Sequence, residues 1–215
     1  MNWLQSTAFT VFGQTVIWSD MVGNLLGLAA LALGWRRSVA SWPVQLLSGA
    51  VLVAAFLPAH VSGMVGKQLI VIVVSAWGWF QWIRGRRATG EVAVRFGSAW
   101  ERLGLVAGAA LGTLAVGGLF TAYPSLSWSP WQDAYIFVGT LVAMVAQARG
   151  LVEFWFAWIA VDVVGVPLAF RSGYTFSALV YIVYFVLVIL GLRAWWMSTR
   201  TPRPQSATVL EGAAA

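Results

Sequence analysis

Long runs of apolar residues, separated by short stretches that contain Arg, Pro or Gly, dominate the sequence. An α-helix needs about 20 mostly apolar residues to cross the hydrocarbon core of a bilayer, and these runs have that length. The pattern predicts seven such helices, at residues 18–35, 39–59, 64–83, 103–122, 131–149, 152–170 and 174–196. We therefore predict an all-α integral membrane protein with seven transmembrane helices.

The two ends of the chain lack this pattern. Residues 1–17 carry no charged side chain and include Trp3, Phe9 and Phe12, which is typical of a short segment in the membrane interface. They lack the basic region and the small-residue cleavage site of a signal peptide. Residues 197–215 contain prolines and small residues, and they predict a disordered cytoplasmic tail.

The composition agrees with a protein solvated by lipid. Of the 215 residues, 60% are hydrophobic and 9% are charged, and the mean hydropathy is +0.80. A soluble domain carries about 25% charged residues, so a soluble enzyme is excluded. The chain has no Cys, which excludes thiol chemistry and Cys metal sites, and its single His60 is interpreted as a loop residue rather than a proton relay. No metal or cofactor is predicted.

The net charge of +6 is explained by orientation in a cell membrane and not by binding to nucleic acid. Eleven of the basic residues fall at the helix ends and loops of one side: Arg36, Arg37, Arg84, Arg86, Arg87, Arg95, Arg102, Arg149, Arg193, Arg200 and Arg203. Lys67 and Arg171 fall on the other side. Because cytoplasmic loops are enriched in Lys and Arg, the amino terminus is predicted outside and the carboxyl terminus in the cytoplasm.

The chain also resembles itself at an ungapped offset of 113 residues. Twelve of 66 positions are identical: Trp18 with Trp131, Asp20 with Asp133, Leu28 with Leu141, Ala30 with Ala143, Arg36 with Arg149, Val39 with Val152, Trp42 with Trp155, Val51 with Val164, Val53 with Val166, Val73 with Val186, Gly78 with Gly191, and Trp82 with Trp195. This predicts a duplicated three-helix unit at 18–83 and 131–196. The segment 84–130 contributes a loop, a linker helix and an outer loop, so that the two units run parallel (3+1+3), as in SWEET-type transporters.

Asp162 is the clearest functional candidate inside the membrane. It lies roughly 16 Å from the cytoplasmic end of its span, counting ~1.5 Å per residue, and a charge at that depth costs about 2.5–3.5 kcal/mol. A structural hydrogen-bond partner is the alternative interpretation. Other polar side chains within spans contact substrate or bond between helices: Asn24, Gln68, Gln81, Gln147, Tyr181 and Tyr184. Near the cytoplasmic side, Glu153 is expected to pair with Arg149.

Two equivalent helix faces carry aromatic and polar groups. Trp155, Trp158 and Asp162 are spaced i, i+3, i+7 and are predicted to share one face. The offset places Trp42, Gln45 and Gly49 on the counterpart face. Such faces suit a flat ring system with a polar rim. The alternative is that Trp42 and Trp155 are interfacial belt residues.

The sequence contains no phosphate-binding loop, no nucleophile and base pair and no zinc spacing, which argues against an ATP-driven pump. An intramembrane enzyme would need a second catalytic group near Asp162, and a cation channel would need rings of acids. The interpretation favoured is therefore a carrier that is not an enzyme.

Several motifs resemble the PnuC family of vitamin transporters: Trp42-Pro43, Gly78-Trp79-Phe80-Gln81-Trp82, Ala146-Gln147-Ala148-Arg149, Trp155-Phe156-Ala157-Trp158 and Val161-Asp162-Val163. The amino-terminal segment and the run 120–128 are most similar to the riboflavin-transporting branch. The resemblance implies facilitated diffusion of an unphosphorylated vitamin, trapped by a cytoplasmic kinase, with the substrate held between two three-helix units and assembly of some members as homotrimers. It implies riboflavin as substrate, with nicotinamide riboside or another unphosphorylated vitamin as the alternative, and a ligand-facing Trp-x-x-Trp in span six.

Overall fold

The computed structural model describes residues 3, 6–11, 13–56, 62–89, 92–127, 129–171 and 175–200. A β-hairpin and seven α-helices follow one another along the chain: β1 (Thr7–Val11), β2 (Gln14–Ile17), α1 (Trp18–Trp35), α2 (Ser41–Phe56), α3 (Ser62–Thr89), α4 (Ala99–Ala122), α5 (Pro130–Ala148), α6 (Glu153–Arg171) and α7 (Thr175–Arg200). A short 3-10 helix, Pro124–Leu126, precedes α5. His60 and most of the predicted tail lie outside the described residues.

The prediction of seven helices is confirmed, and most boundaries agree within a few residues. The linker helix α4 begins at Ala99, four residues before the predicted start, because Ser98 and Glu101 form a capping box there. Helix α3 continues past Arg84 to Thr89, so the basic cluster extends this helix instead of ending it.

The amino-terminal segment forms an antiparallel hairpin that the hydrophobic pattern does not predict. Its turn contains Gly13, whose φ of +72° favours glycine. Trp3 and Trp18 pack edge to face, with ring centroids 6.1 Å apart. Trp3, which precedes the hairpin, therefore packs directly against the first residue of α1.

The corners after α1 and α5 are built in the same way. Arg37 has a φ of +56° and Gly150 a φ of +66°, and the two positions are related by the offset of 113 residues. The Arg37 N–H donates to the Gly34 carbonyl at 2.9 Å, and the Gly150 N–H donates to the Gln147 carbonyl at 2.9 Å. Each left-handed residue ends its helix and turns the chain towards the next.

The second and third helices of each unit also pack in matching pairs. Trp42 lies against Gly78 and meets Trp82 edge to face, at 5.5 Å and 87°. In the other unit Trp155 lies against Gly191 and meets Trp195 at 5.6 Å and 90°. The missing side chains of the two glycines leave room for the indole rings.

These tryptophans also join the two units. The Trp82 indole N–H donates to the Gln147 carbonyl at 2.8 Å, and the Trp195 indole N–H donates to the Trp35 carbonyl at 3.0 Å. Each bond runs from α3 to the end of α5 or from α7 to the end of α1, so the two bonds hold the two halves together at one end of the helices.

The connection between α3 and α4 binds to the second unit. Arg95 forms a parallel bridge with the corner at Gly150, and its guanidinium hydrogen-bonds both carboxylate oxygens of Glu101 at 2.7 Å. The hydrogen bonds to Glu101 raise the pKa of Arg95 above its usual value. The expected pairing of Glu153 with Arg149 is wrong: Glu153 accepts from Arg102 at 2.6 Å and from the Gly97 N–H. Helix α4 places the Arg102 guanidinium closer to the Glu153 carboxylate than the turn before α6 places Arg149.

Large apolar side chains cover the outside of the helices. Among the described residues, α4 and the stretch Val180–Arg200 are the two segments long and apolar enough to cross a bilayer on length and composition alone. On α4, Trp100 is 81% exposed, and Val106, Leu111 and Leu114 are also exposed. A large apolar outer surface of this kind is stable against lipid and not against water.

Candidate substrate-binding site

A cavity of about 310 Å³ lies between helices α1–α3 and helices α5–α7, and α4 contributes nothing to its wall among the described residues. This volume falls within the range of about 300–1,000 Å³ that is usual for small-molecule sites. The cavity is lined by six helices, three from each unit.

The cavity wall repeats with the offset of 113 residues. On α2 and α6 the equivalent wall positions are Ser41 and Phe154, Gln45 and Trp158, Ser48 and Val161, and Leu52 and Gly165. On α1 and α5 they are Gly23 and Ile136, Gly27 and Thr140, and Leu31 and Met144; on α3 and α7 they are Gln68 and Tyr181, and Val71 and Tyr184. The remaining wall residues are Asn24, Ala30, Trp42, Gln147 and Asp162.

The two halves of the wall differ in chemistry although their positions correspond. The first unit contributes small polar groups, among them Ser41 and Gln45. At the same positions the second unit contributes the aromatic rings of Phe154 and Trp158. At these positions the cavity therefore offers rings for stacking opposite groups for hydrogen bonds, while Trp42 adds an aromatic ring to the first side and Asp162 a polar group to the second.

Asp162 lies in this wall and is 4% exposed. Its Oδ2 atom has no hydrogen-bond partner among the described residues, and neither has the Nε1 atom of Trp158. Residues four apart on a helix share one face, and Trp158 and Asp162 both lie on the cavity side of α6. The position equivalent to Asp162 is Gly49, which makes the carboxylate a feature of one side only.

Tyr184 crosses from α7 to α1 at the level of the cavity. Its hydroxyl donates to the Asn24 carbonyl at 2.9 Å. A Cβ atom at Gly27 would lie 2.1 Å from that hydroxyl oxygen, so glycine is required there. Tyr184 therefore lines the cavity and also connects the two units.

Of the ten predicted site residues, nine line the cavity: Asn24, Trp42, Gln45, Gln68, Gln147, Trp158, Asp162, Tyr181 and Tyr184. Trp155 is the exception and corrects the prediction. It is fully buried against Gly191, because the cavity face of α6 runs through Phe154, Trp158 and Asp162. Sequence reasoning missed the polar and aromatic wall residues Ser41, Ser48, Thr140 and Phe154, of which all but Thr140 lie one helical turn from a predicted residue, Gln45 or Trp158.

Six helices around an internal cavity with polar groups, with a seventh helix outside it, are typical of a membrane transporter for a small molecule. The chain belongs to the family described as nicotinamide mononucleotide transporter, whose model matches residues 17–197. Transporters of this family are multi-pass membrane proteins, and this chain is one of them.

Individual proteins narrow the comparison. The chain is 59% identical to the riboflavin/roseoflavin transporter RibM of Streptomyces davaonensis over 217 residues, covering 100% of both chains. It is 21% identical to the nicotinamide riboside transporter PnuC of Escherichia coli, covering 87% of this chain and 89% of that protein. A crystal structure of the vitamin B3 transporter PnuC matches the fold with a TM-score of 0.67 and 20% identity, over 84% of this chain and 81% of that one.

Proposed function

We propose that this protein takes up riboflavin across the cell membrane by facilitated diffusion. The observation that carries the proposal is the 59% identity, over the full length of both chains, to a protein named as a riboflavin/roseoflavin transporter. The relative named as a nicotinamide riboside transporter is 21% identical, so nicotinamide riboside is the weaker candidate.

The chemistry of the cavity supports this substrate. Riboflavin joins a flat tricyclic ring to a chain of hydroxyl groups, and the cavity wall combines aromatic rings such as Trp158 with hydrogen-bonding side chains such as Ser41 and Gln45. None of the described wall residues is Lys or Arg, and Asp162 is acidic. A phosphate group would enter without a compensating charge, at a high desolvation cost. The cavity therefore favours the unphosphorylated vitamin.

The proposed mechanism rests on two parallel units, α1–α3 and α5–α7, joined by the linker helix α4. The matching corners at Arg37 and Gly150, and the matching pairs Trp42 with Gly78 and Trp155 with Gly191, support a duplication. Rocking of one unit against the other opens the cavity to either side. The excess of Arg on one side supports a cytoplasmic carboxyl terminus and an outer amino terminus.

Without an energy source the carrier only equilibrates its substrate. Accumulation then requires a cytoplasmic kinase that converts riboflavin to a phosphate ester, which the cavity excludes by charge. The exposed apolar side of α4 supports contact with lipid and, by resemblance to family members, with further copies in a homotrimer.

Binding to purified protein tests the choice of substrate. Riboflavin fluorescence should be quenched on titration with the protein in detergent, because the ring stacks against an indole, and nicotinamide riboside in excess should not displace it. A protein that binds nicotinamide riboside and leaves riboflavin fluorescence unchanged would overturn the choice of riboflavin.

A further inference from the structure

Four polar atoms of the cavity wall have no hydrogen-bond partner among the residues that the structure describes. They are the Asp162 Oδ2, the Nε1 atoms of Trp42 and Trp158, and the Ser41 hydroxyl. Asp162 is 4% exposed, Ser41 2% and Trp42 1%. Because buried polar groups in native proteins are nearly always hydrogen-bonded, these atoms are the ones that a bound substrate would satisfy.

The four atoms differ in what they require. An indole N–H only donates, a hydroxyl donates and accepts, and an ionised carboxylate only accepts. Asp162 is therefore the member of the group that requires a donor from the substrate. Its counterpart Gly49 has no side chain, so this requirement exists on the second unit alone.

The ring of riboflavin carries a complementary set of groups. It has one N–H, the imide N3–H, placed between two carbonyls, and its acceptors are those carbonyl oxygens and the unsubstituted nitrogens N1 and N5. The ribityl hydroxyls each donate and accept, so they pair with Ser or Gln side chains equally well. The imide N–H only donates, and an acceptor that cannot donate is its best partner.

Resting on riboflavin as the substrate, we propose that Asp162 determines specificity by accepting the imide N3–H of the isoalloxazine ring. Trp158 lies one helical turn away on α6, where its indole ring is available to stack on the isoalloxazine. The pyrimidinedione edge of the ring therefore faces α6, and a substrate without an N–H at that edge is rejected.

The test compares riboflavin with 3-methylriboflavin, in which a methyl group replaces the imide hydrogen. Dissociation constants of the full chain in detergent are measured by flavin fluorescence. The wild type should bind riboflavin more tightly by on the order of tenfold to a hundredfold, because methylation leaves the carboxylate unpaired. In Asp162→Asn the acceptor is uncharged, so this ratio should fall several-fold. The matched control Asp133→Asn alters a carboxylate that accepts from Ser127 outside the cavity, and it should keep the wild-type ratio.

The outcomes separate the inference from the proposed function. Equal binding of both flavins by the wild type overturns imide recognition and leaves riboflavin transport intact. An unchanged ratio in Asp162→Asn means that the methyl group is rejected by shape, which overturns the role of Asp162. Failure of the wild type to bind either flavin overturns the proposed substrate itself. Should the variant not fold, the wild-type comparison alone still overturns or supports recognition of the N–H.

Discussion

Trp158 is the aromatic residue best placed to stack on a substrate ring. It lies in the cavity wall on α6, at the position that corresponds to Gln45 on α2. Trp158→Ala should weaken riboflavin binding by about 1–3 kcal/mol, the usual value for an aromatic stack on a planar base. Titration of the purified variant by flavin fluorescence measures this loss. Trp100→Ala, which removes an exposed tryptophan of α4 far from the cavity, is the control and should bind like the wild type.

Gly150 illustrates how a single backbone position fixes the corner after α5. Its φ is +66°, and a Cβ atom there would lie 2.2 Å from the Ala93 carbonyl of the linker. Gly150→Ala should therefore lower the thermal unfolding temperature, since the left-handed conformation alone costs a non-glycine residue about 1–2 kcal/mol. Arg37→Ala is the matched control, because the equivalent corner already holds a side chain at a φ of +56°. Equal unfolding temperatures for Gly150→Ala and the wild type would contradict this account.

At the residue scale, the sequence indicates which side chains carry the chemistry, but it says less about which way each side chain points from its helix. Asp162 stands out because an acid at membrane depth is costly, and the structure places it in the cavity wall. Trp155 and Phe154 are adjacent in sequence, and a step of one residue turns the side chain by about 100° around a helix with 3.6 residues per turn. Which of the two faces the cavity depends on helix packing, which one sequence does not reveal.

Among the elements, the packing of α6 on α7 depends on the contact between Trp155 and Gly191. A Cβ atom at Gly191 would lie 2.2 Å from the Trp155 ring. Gly191→Ala should destabilise the protein by about 1–3 kcal/mol, because the ring must leave its place. Gly78→Ala should have a similar effect, because a Cβ atom there would lie 2.3 Å from the Trp42 ring.

The control for these substitutions is Gly108→Ala on α4, where no atom lies within 4 Å of the added carbon. It should unfold at the wild-type temperature or above, since alanine favours a helix more than glycine by about 1 kcal/mol. Comparable losses at Gly108 and Gly191 in the same thermal assay would show that ring packing is not the cause.

The helices were predictable because each one needs a long apolar run, and such a run is recognisable even where its first and last residues are uncertain. The hairpin β1–β2 was not, because two short strands leave too few residues for an alternating pattern to stand out. The contacts of the segment between α3 and α4 could not be predicted from the sequence either. Arg95 and Glu101 are close in the chain, but the bridge from Arg95 to the Gly150 corner joins residues that are far apart in it.

At the scale of the whole molecule, the repeated cavity wall is the most informative feature. Identity between the two units is low, yet equivalent positions such as Gln68 and Tyr181 meet around the same cavity. The correspondence of the two units remains a prediction from the sequence offset. The contrast between Gln45 on one side and Trp158 on the other emerged only when the helices were assembled, because it depends on which side of each helix faces inwards.

The central claim, passive carriage of riboflavin, is tested most directly in liposomes that contain the purified protein. Riboflavin should enter down its gradient until inside and outside concentrations are equal, at a rate that an imposed pH or sodium gradient leaves unchanged. With riboflavin kinase and ATP sealed inside, flavin should accumulate as the phosphate ester above the external concentration. Accumulation of free riboflavin in kinase-free vesicles, driven by either ion gradient, would contradict facilitated diffusion and make Asp162 the first candidate for the coupling site.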